Sequence, residues 1–225
     1  MNLVKCLEFF NPSKDDARIH IIGCGSVGST LAENLARCGI KNMTLWDMDI
    51  VEEKNVHNQM FTAKDVGRPK VEALRDIIME INPEIPDGCL ILKPKGWQGQ
   101  VLSGYVFLAV DSIEVRRAFV EKHMASPYIK GVFDIRTELT GAQHYAADWS
   151  DEKMKENLLK TMQFSHDEAV AETPTSACGV TLGIVTTVRM ICGIAVNNYI
   201  RFTKGEGIWK FAKFEGFNNP SIVCF

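Results

Sequence analysis

Three glycines in this sequence have the spacing that allows a polypeptide backbone to bind phosphate. They lie in residues 23–28 (GCGSVG), directly after a short β-branched run and before a helical pattern of apolar residues. Glycines at these places permit a tight turn and a close backbone approach. The following helix offers free N–H groups and positive dipole charge to an anion. A tight turn without a ligand is the alternative interpretation. The residues that we predict to contact a nucleotide here are Gly23, Gly25, Ser26, Val27 and Gly28.

An acidic residue follows this turn at the distance where a carboxylate binds ribose hydroxyls. Asp47 stands 19 residues after Gly28, at the end of the next apolar run. In open parallel sheets, a carboxylate at the end of the second strand accepts hydrogen bonds from the ribose. The turn and Asp47 together predict nucleotide binding, but they do not distinguish NAD, a methyl donor and ATP.

Three further motifs follow in a fixed order. Residues 47–59 read DMDIVEEKNVHNQ, residues 65–70 read DVGRPK, and residues 111–116 read DSIEVR. This arrangement resembles the ThiF/MoeB/HesA superfamily of adenylyltransferases, which are related to ubiquitin-activating enzymes. The resemblance covers about residues 17–136 and resumes at residues 178–200. It implies ATP as the nucleotide and activation of a carboxylate as the chemistry.

The resemblance also implies a role for each motif residue. Asp47 would hold the ribose, Asn55 and Gln59 would line the triphosphate pocket, and Lys70 would pair with phosphate oxygens. Asp111 would bind Mg²⁺, because magnesium needs only one or two carboxylates beside phosphate oxygens. Asp49 is a further candidate contact, although it could instead brace the loop that follows. Asp111 could alternatively be a helix N-cap. Arg116 is interpreted as a structural brace, and a surface salt bridge competes with phosphate contact for Arg37.

Two departures from the family pattern weaken the expected phosphate site. The family arginine of N-x-x-R-Q is Asn58 here, and only about sixteen residues, none of them arginine, precede the first strand. Asn58 stays a candidate nucleotide contact, but the loss of a charge-assisted hydrogen bond costs about 1.5–3 kcal/mol. Cys178 is a candidate acceptor of the activated product, although the family cysteine falls nearer Thr175 by count. No zinc site is expected, because no two cysteines form a C-x-x-C pair.

Short apolar strands alternate with helical patterns through the first half of the chain. This alternation predicts an α/β, Rossmann-like fold, with a mainly parallel sheet and helices on both faces. We further expect a short antiparallel C-terminal extension. We expect residues 1–225 to form a single adenylylation domain, with a mobile crossover loop over about 148–178. The predicted strands are 18–22, 43–48, 89–92, 105–110, 128–135, 141–147 and 208–217. The predicted helices are 27–38, 64–81, 113–124, 152–162 and 180–202.

Composition excludes several other classes of protein. The 225 residues are 46% hydrophobic and 24% charged with a net charge of −3, which is ordinary for a globular protein and does not favour nucleic acid or an anionic membrane. No apolar run is long enough to span a membrane. The seven cysteines are scattered, which favours reduced thiols and a cytoplasmic location.

Three functions are compatible with these features. The leading hypothesis is ATP-dependent adenylylation of the C-terminal carboxylate of a ubiquitin-like protein, a sulfur-carrier protein or a peptide, carried out by a homodimer. The second is a catalytically weakened ATP- or AMP-binding partner protein, because two phosphate-binding arginines are missing. The third is an NAD-dependent oxidoreductase, which the glycine turn and Asp47 permit. An oxidoreductase gives no reason for the combination of Asn55, Lys70 and Asp111.

Overall fold

A computed structural model describes residues 1–165, 168, 183–217 and 219–225 of the chain. These residues contain one eight-stranded sheet with the strand order β3-β2-β1-β4-β5-β6-β7-β8. The strands are β1 (Ile19–Ile22), β2 (Met43–Trp46), β3 (Leu90–Lys93), β4 (Gly104–Leu108), β5 (Ile129–Thr137), β6 (Gly141–Asp148), β7 (Phe211–Glu215) and β8 (Ser221–Cys224).

The first five strands run parallel to one another, and the last three are antiparallel to their neighbours. The central strands β1, β2 and β4 are buried along their whole length, as expected for strands that are covered on both faces. The predicted Rossmann-like fold with an antiparallel C-terminal extension is therefore confirmed.

Helices cover both faces of the sheet. They are α1 (Ser26–Arg37), α2 (Lys70–Ile81), α3 (Ile113–His123), α4 (Glu152–Lys160) and α5 (Val185–Thr203). Side chains from α1, α2 and α5 form one apolar core with the sheet. Side chains from α3 and α4 form a second core on the opposite face. Side chains along β1 alternate between the two faces of the sheet, so that Ile19 and Ile21 belong to the first core and Ile22 belongs to the second.

The helix predicted over 64–81 begins later than expected. Residues Ala63–Asp65 form a short 3₁₀ helix instead, closed by reciprocal hydrogen bonds between Thr62 and Asp65. Pro69 then precedes α2, and a proline disfavours helical conformation in the residue before it. Lys70 is therefore the first residue of α2 and does not lie one turn inside it.

The long helix predicted over 180–202 also differs at its start. Ile184 has an extended backbone and precedes the first turn of α5, while residues 180–182 lie outside the described part of the chain. The helix belongs to the apolar core and packs along α1. This packing accounts for its apolar residues, so they give no support to a subunit interface. Between Asp148 and residue 165 the chain forms α4, and Cys178 falls outside the described residues.

None of the helices that the structure describes is both long enough and apolar enough to cross a membrane.

Candidate functional site

The glycine turn lies where three parallel strands end. Gly23 follows β1 directly, and its N–H donates to the carbonyl oxygen of Trp46 at the end of β2 (2.8 Å). Gly23 has a φ of +93°, and a Cβ placed on it would lie 2.7 Å from the carbonyl oxygen of Ala109, just after β4. Only glycine fits a left-handed backbone so close to a neighbouring strand. The turn is thus fixed against both strands that flank β1.

The first turn of α1 packs tightly against this glycine turn and leaves one side open. A Cβ on Gly28 would lie only 1.8 Å from the carbonyl oxygen of Gly23. A Cβ on Gly25 would instead have no neighbour within 4 Å. Gly25 precedes α1, and no side chain caps the N–H groups of the first helical turn, at Ser26, Val27 and Gly28. Uncapped N–H groups beside open space form a site for an anion.

Asp47 joins the glycine turn to the loop that follows β2. One carboxylate oxygen accepts a hydrogen bond from the N–H of Cys24 (2.6 Å) and the other from the N–H of Asp49 (2.8 Å). Burial raises the pKa of Asp47, and the two backbone N–H groups partly offset this. The structure places Asp47 beside the turn, where the sequence predicted it. Its contact with a ribose stays a prediction.

Lys70 and Asp49 form an ion pair at the start of α2. The Nζ atom of Lys70 lies 2.8 Å from Oδ2 of Asp49, and the N–H of Lys70 donates to the carbonyl oxygen of Asp49 (2.9 Å). The Lys70 side chain is only 9% exposed, whereas the Asp49 side chain is 63% exposed. Lys70 is therefore not an ordinary solvated helix lysine. Asp49 acts as its partner and braces the loop.

The loop at residues 55–60 lies against α1 and the segment before α5. Oδ1 of Asn55 accepts a hydrogen bond from the N–H of Glu52 (2.9 Å), so Asn55 closes a 3₁₀ turn over Glu53–Asn55. Oε1 of Gln59 is buried and has no hydrogen-bond partner among the described residues. Nδ2 of Asn58 lies 3.4 Å from the Cβ position of Gly183. A buried acceptor needs a donor, which phosphate oxygens do not supply, so the Gln59 amide would have to present Nε2 to a triphosphate.

Asp111 lies just beyond β4, in the loop before α3. Its side chain is exposed, and Oδ1 accepts a hydrogen bond from the N–H of Ser112 (2.9 Å). The N-cap of α3 is Ser112, whose Oγ accepts from the N–H of Val115 (3.2 Å). The alternative interpretation of Asp111 as the N-cap was wrong, because the helix begins one residue later than that role requires.

Arg116, interpreted as structural, and Arg37, for which a salt bridge and phosphate contact were both open, have structural partners. Arg116 is buried and donates to the carbonyl oxygens of Leu108 (3.1 Å) and Val110 and to the carboxylate of Asp134. Arg37 is largely exposed and pairs with Glu33 one turn earlier on α1 (2.8 Å). Arg37 lies in the last turn of α1, away from the glycine turn, and Arg116 is held by backbone carbonyls and a buried carboxylate.

One functional candidate was missed by the sequence interpretation. Arg189 lies in the second turn of α5, and its Nη2 contacts the sulfur of Met60 at 3.6 Å. Met60 follows Gln59, so this contact places a cation beside the loop that contains Asn58. No motif surrounds Arg189, and only the packing of α5 on α1 reveals its position.

Metal-binding groups are sparse in the described part of the chain. No group of three His, Cys, Asp or Glu side chains there is arranged to hold a metal ion. Asp111 offers a single exposed carboxylate, and its hydrogen bond to Ser112 uses Oδ1 and leaves Oδ2 for a cation. This fits a metal that takes most of its oxygens from phosphate and water, as Mg²⁺ does.

A cavity of about 430 Å³ lies elsewhere on the molecule. Its lining includes Tyr105, Ile129, Lys130 and Asp148, which mark the amino ends of β4 and β5 and the end of β6. It is therefore at the opposite edge of the sheet from the glycine turn. Ligands of open α/β sheets bind at the carboxyl ends of the strands, so we place the site at the turn and not in this cavity.

Comparison with known proteins gives the same family as the motifs. The family model described as "ThiF family" matches residues 14–222. The ubiquitin-like modifier-activating enzyme 5 of Caenorhabditis briggsae is 40% identical over 70 residues, which cover 31% of this chain and 16% of that protein. The tRNA threonylcarbamoyladenosine dehydratase of Escherichia coli is 37% identical over 121 residues, which cover 52% of this chain and 44% of that protein. The chain thus spans less than half the length of these relatives.

Solved structures share the fold at low sequence identity. Escherichia coli MccB with ATP has a TM-score of 0.72 and 15% identity, over 93% of this chain and 63% of that chain. PaaA has a TM-score of 0.67 and 16% identity, over the same shares of the two chains. The resemblance stated from residues 23–116 is confirmed by the family model, which extends across nearly the whole sequence. The chain belongs to the ThiF family.

Proposed function

We propose that this chain binds ATP with Mg²⁺ and transfers AMP to the C-terminal carboxylate of a ubiquitin-like protein, a sulfur-carrier protein or a peptide. The observation that carries the proposal is the convergence of the uncapped first turn of α1, the buried Lys70 and the exposed Asp111 at one edge of the sheet. Family membership supports ATP as the nucleotide.

Each part of the nucleotide has a matching group. The N–H groups at Ser26, Val27 and Gly28 would bind phosphate oxygens, and Asp47 would accept hydrogen bonds from the ribose. Asn55 and Gln59 would line the triphosphate pocket. Lys70 is held by Asp49, and the exposed Asp49 carboxylate would be released to water if phosphate took its place. The buried Lys70 side chain would then need little ordering on binding.

Asp111 would hold Mg²⁺ through its free carboxylate oxygen. When bound, the metal neutralises part of the charge that gathers on the phosphates during transfer. The other ligands would be phosphate oxygens and water.

The reaction needs positioning more than proton transfer. An acceptor carboxylate is ionised at neutral pH, so its oxygen attacks the α-phosphorus directly. A new P–O bond forms to the acceptor, the bond from the α-phosphorus to the bridging oxygen of pyrophosphate breaks, and pyrophosphate leaves with the electron pair. Lys70 and the helix N–H groups would neutralise the developing charge, which is the largest contribution available to such a site.

The names of related proteins suggest the acceptor class. One relative activates a ubiquitin-like modifier according to its name, and MccB has been solved in complex with MccA. The name of a second relative refers to threonylcarbamoyladenosine, a nucleoside of tRNA, so this nucleoside should be included among the acceptors that are tested. We favour a protein or peptide carboxylate, because the net charge of −3 gives no general attraction to nucleic acid.

ATP–pyrophosphate exchange tests the proposal directly. The protein should incorporate labelled pyrophosphate into ATP only with Mg²⁺ and a suitable acceptor. Asp111→Ala should abolish this exchange while the thermal unfolding midpoint stays unchanged. Asp87→Ala, which removes an exposed carboxylate in a turn far from the glycine turn in sequence, is the matched control and should retain exchange.

Two outcomes would support the alternatives. Tight ATP or AMP binding without exchange, across a panel of carrier proteins, peptides and the tRNA nucleoside, would indicate a catalytically weakened binding protein. Asn58 in place of the family arginine is the observation that favours this second function. Protection from thermal unfolding by NAD but not by ATP would indicate an oxidoreductase.

We further propose that residues 1–225 act as a single adenylylation domain in a cytoplasmic homodimer. Light scattering of the purified chain tests the oligomeric state. A role for Cys178 as the acceptor of the activated product stays part of the proposal, because that residue lies outside the described structure. Cys178→Ser should retain pyrophosphate exchange but lose any covalent conjugate.

A further inference from the structure

The predicted phosphate pocket has little positive charge for the ligand it should hold. Position 58 is asparagine, and Lys70 is paired with Asp49. Lys54 pairs with Glu52, and His57 is exposed and bonded through Nδ1 to the carbonyl oxygen of Lys54. A triphosphate carries several negative charges, so a further cation near position 58 would matter for ATP binding.

Arg189 is the side chain that the fold brings to this place. Its Nη2 contacts the sulfur of Met60, and the N–H of Met60 donates to Oγ of Ser29 on α1 (3.2 Å). One turn further along α5, the Cys192 thiol contacts the carbonyl oxygen of Val27 in the first turn of α1 (3.5 Å). The first half of α5 therefore lies beside the phosphate-binding end of α1.

The Arg189 side chain has no strong partner in the part of the chain that the structure describes. It is exposed, and within the described residues no carboxylate lies at ion-pair distance from it. Its one hydrogen-bond contact there is to a thioether, which is a weak acceptor.

The order of contacts along α1 indicates which phosphates Arg189 would reach. Asp47, the predicted ribose ligand, bonds to Cys24 in the turn before α1. Met60, the neighbour of Arg189, bonds to Ser29 in the helix itself. A nucleotide with its ribose at Asp47 would extend its terminal phosphates toward Met60 and Arg189.

We propose that Arg189 supplies the guanidinium group that position 58 lacks and binds the β- and γ-phosphates of ATP. This role rests on the proposed function, since it assumes that ATP occupies the turn. A guanidinium from α5 would replace the family arginine in charge although it comes from a different element.

Calorimetric titration with MgATP and with AMP tests this role. Arg189→Ala should weaken MgATP binding about tenfold or more, as expected for loss of a charge-assisted contact, and leave AMP binding within about twofold. Arg189→Lys should lie between, because lysine keeps the charge but not the planar fork. Asn58→Arg added to Arg189→Ala should restore MgATP affinity. Arg75→Ala, which removes an exposed arginine of α2, is the matched control.

The outcomes separate this inference from the proposed function. If the wild-type protein binds neither nucleotide, the proposed function fails and this role fails with it. If the wild type binds MgATP and Arg189→Ala binds it equally well, only the role of Arg189 is overturned. Equal loss of MgATP and AMP, or a lowered thermal midpoint that accounts for the loss, would also overturn it, because both results indicate a structural arginine.

Discussion

At the level of single residues, two glycines of the turn have opposite surroundings. Gly28 has no space for a side chain, because its Cβ position is occupied by the backbone of Gly23. Gly25 has open space at its Cβ position and a negative φ of −74°. Gly28 is therefore needed by the fold itself. Gly25 is needed only if a ligand occupies the space beside it.

Alanine substitutions should therefore separate folding from binding. Gly28→Ala should lower the free energy of unfolding by about 2–3 kcal/mol, since overpacking against backbone cannot be relieved by rotamer changes. Gly25→Ala should unfold at the same urea concentration as the wild type but lose ATP affinity, because its methyl group would enter the predicted phosphate space. Urea unfolding with calorimetric titration checks both. Unchanged ATP affinity in Gly25→Ala would contradict phosphate binding at the turn.

The sequence could predict where Asp47, Lys70 and Asp111 lie but not what Lys70 contacts. The carboxyl ends of parallel strands meet at one edge, so residues that follow different strands converge there. The pairing of Lys70 with Asp49 depends on the exact first residue of α2, which the sequence interpretation placed too early. Arg189 was missed for a related reason, because its position depends on how α5 packs against α1.

At the level of secondary structure, most elements followed from the apolar patterns, and the errors have local causes. The start of α2 was misplaced because Gly67 and Pro69 were not taken as a helix boundary, although Gly67 has a φ of +88° and Pro69 directly precedes the helix. Strand β8 was missed because three of its four residues are exposed, so that no buried face produces alternation. Helix α4 was expected and is present. Asp151 is its N-cap, because its side chain accepts a hydrogen bond from the N–H of Met154.

Two arginines connect the end of α4 to α3 and β5 through hydrogen bonds. Arg136 donates to the carbonyl oxygen (2.8 Å) and Oγ1 (2.9 Å) of Thr161, and its Nη2 lies 2.6 Å from the buried carboxylate of Asp134. Arg117 donates to the carbonyl oxygens of Met162 and Phe164, each at 2.6 Å. Arg116 binds the other oxygen of Asp134 and the strand end before Asp111. The network thus connects the Asp111 loop to the segment that leaves α4.

Removing these arginines one at a time should have different effects. Arg136→Ala leaves the buried Asp134 with only Arg116, and we expect it to lower the free energy of unfolding by about 2–3 kcal/mol. Arg117→Ala removes hydrogen bonds to two carbonyl oxygens but leaves no buried charge unpaired, and should cost about 1 kcal/mol. Both variants should speed amide hydrogen exchange near residues 161–164. Equal effects of the two variants on global stability would contradict a special role for the Asp134 pairing.

At the level of the whole molecule, one buried histidine connects four elements. Nδ1 of His144 on β6 contacts the carbonyl oxygen of Asp134 on β5 (3.2 Å), and Nε2 lies 3.0 Å from Nδ2 of Asn198 on α5. Asn198 also exchanges two hydrogen bonds of 2.8 Å with the backbone of Trp209, near the start of β7. A carbonyl oxygen can only accept, so Nδ1 carries the proton and Nε2 accepts from Asn198. The imidazole is therefore neutral in the folded protein.

This arrangement makes stability depend on pH between the ordinary pKa of histidine and the lowered pKa of His144. Burial lowers the pKa of His144 to about 4, and burial also lowers that of His20 to about 4. Both histidines have a pKa of about 6.5 when unfolded, so the unfolded chain takes up more protons between pH 6.5 and 4. The stabilisation that comes from keeping these histidines neutral should be fully present above pH 6.5. As the pH drops from 6.5 to 4, the free energy of unfolding should fall by about 3 kcal/mol for each histidine.

Urea unfolding at several pH values checks this dependence, with His144→Gln as the test variant and His57→Gln, at an exposed position, as the control. His144→Gln should be less stable at pH 7, because the network is broken, yet its stability should change less between pH 6.5 and 4 than that of the wild type. His57→Gln should keep the wild-type slope. A wild-type stability that stays constant from pH 6.5 to 4 would contradict neutral His144 and His20 side chains in the folded protein, because the folded and unfolded states would then bind the same number of protons. A protonated His144 would also place its Nε2–H against the Nδ2 donor of Asn198, and that amide cannot turn over without opposing both of its hydrogen bonds with Trp209.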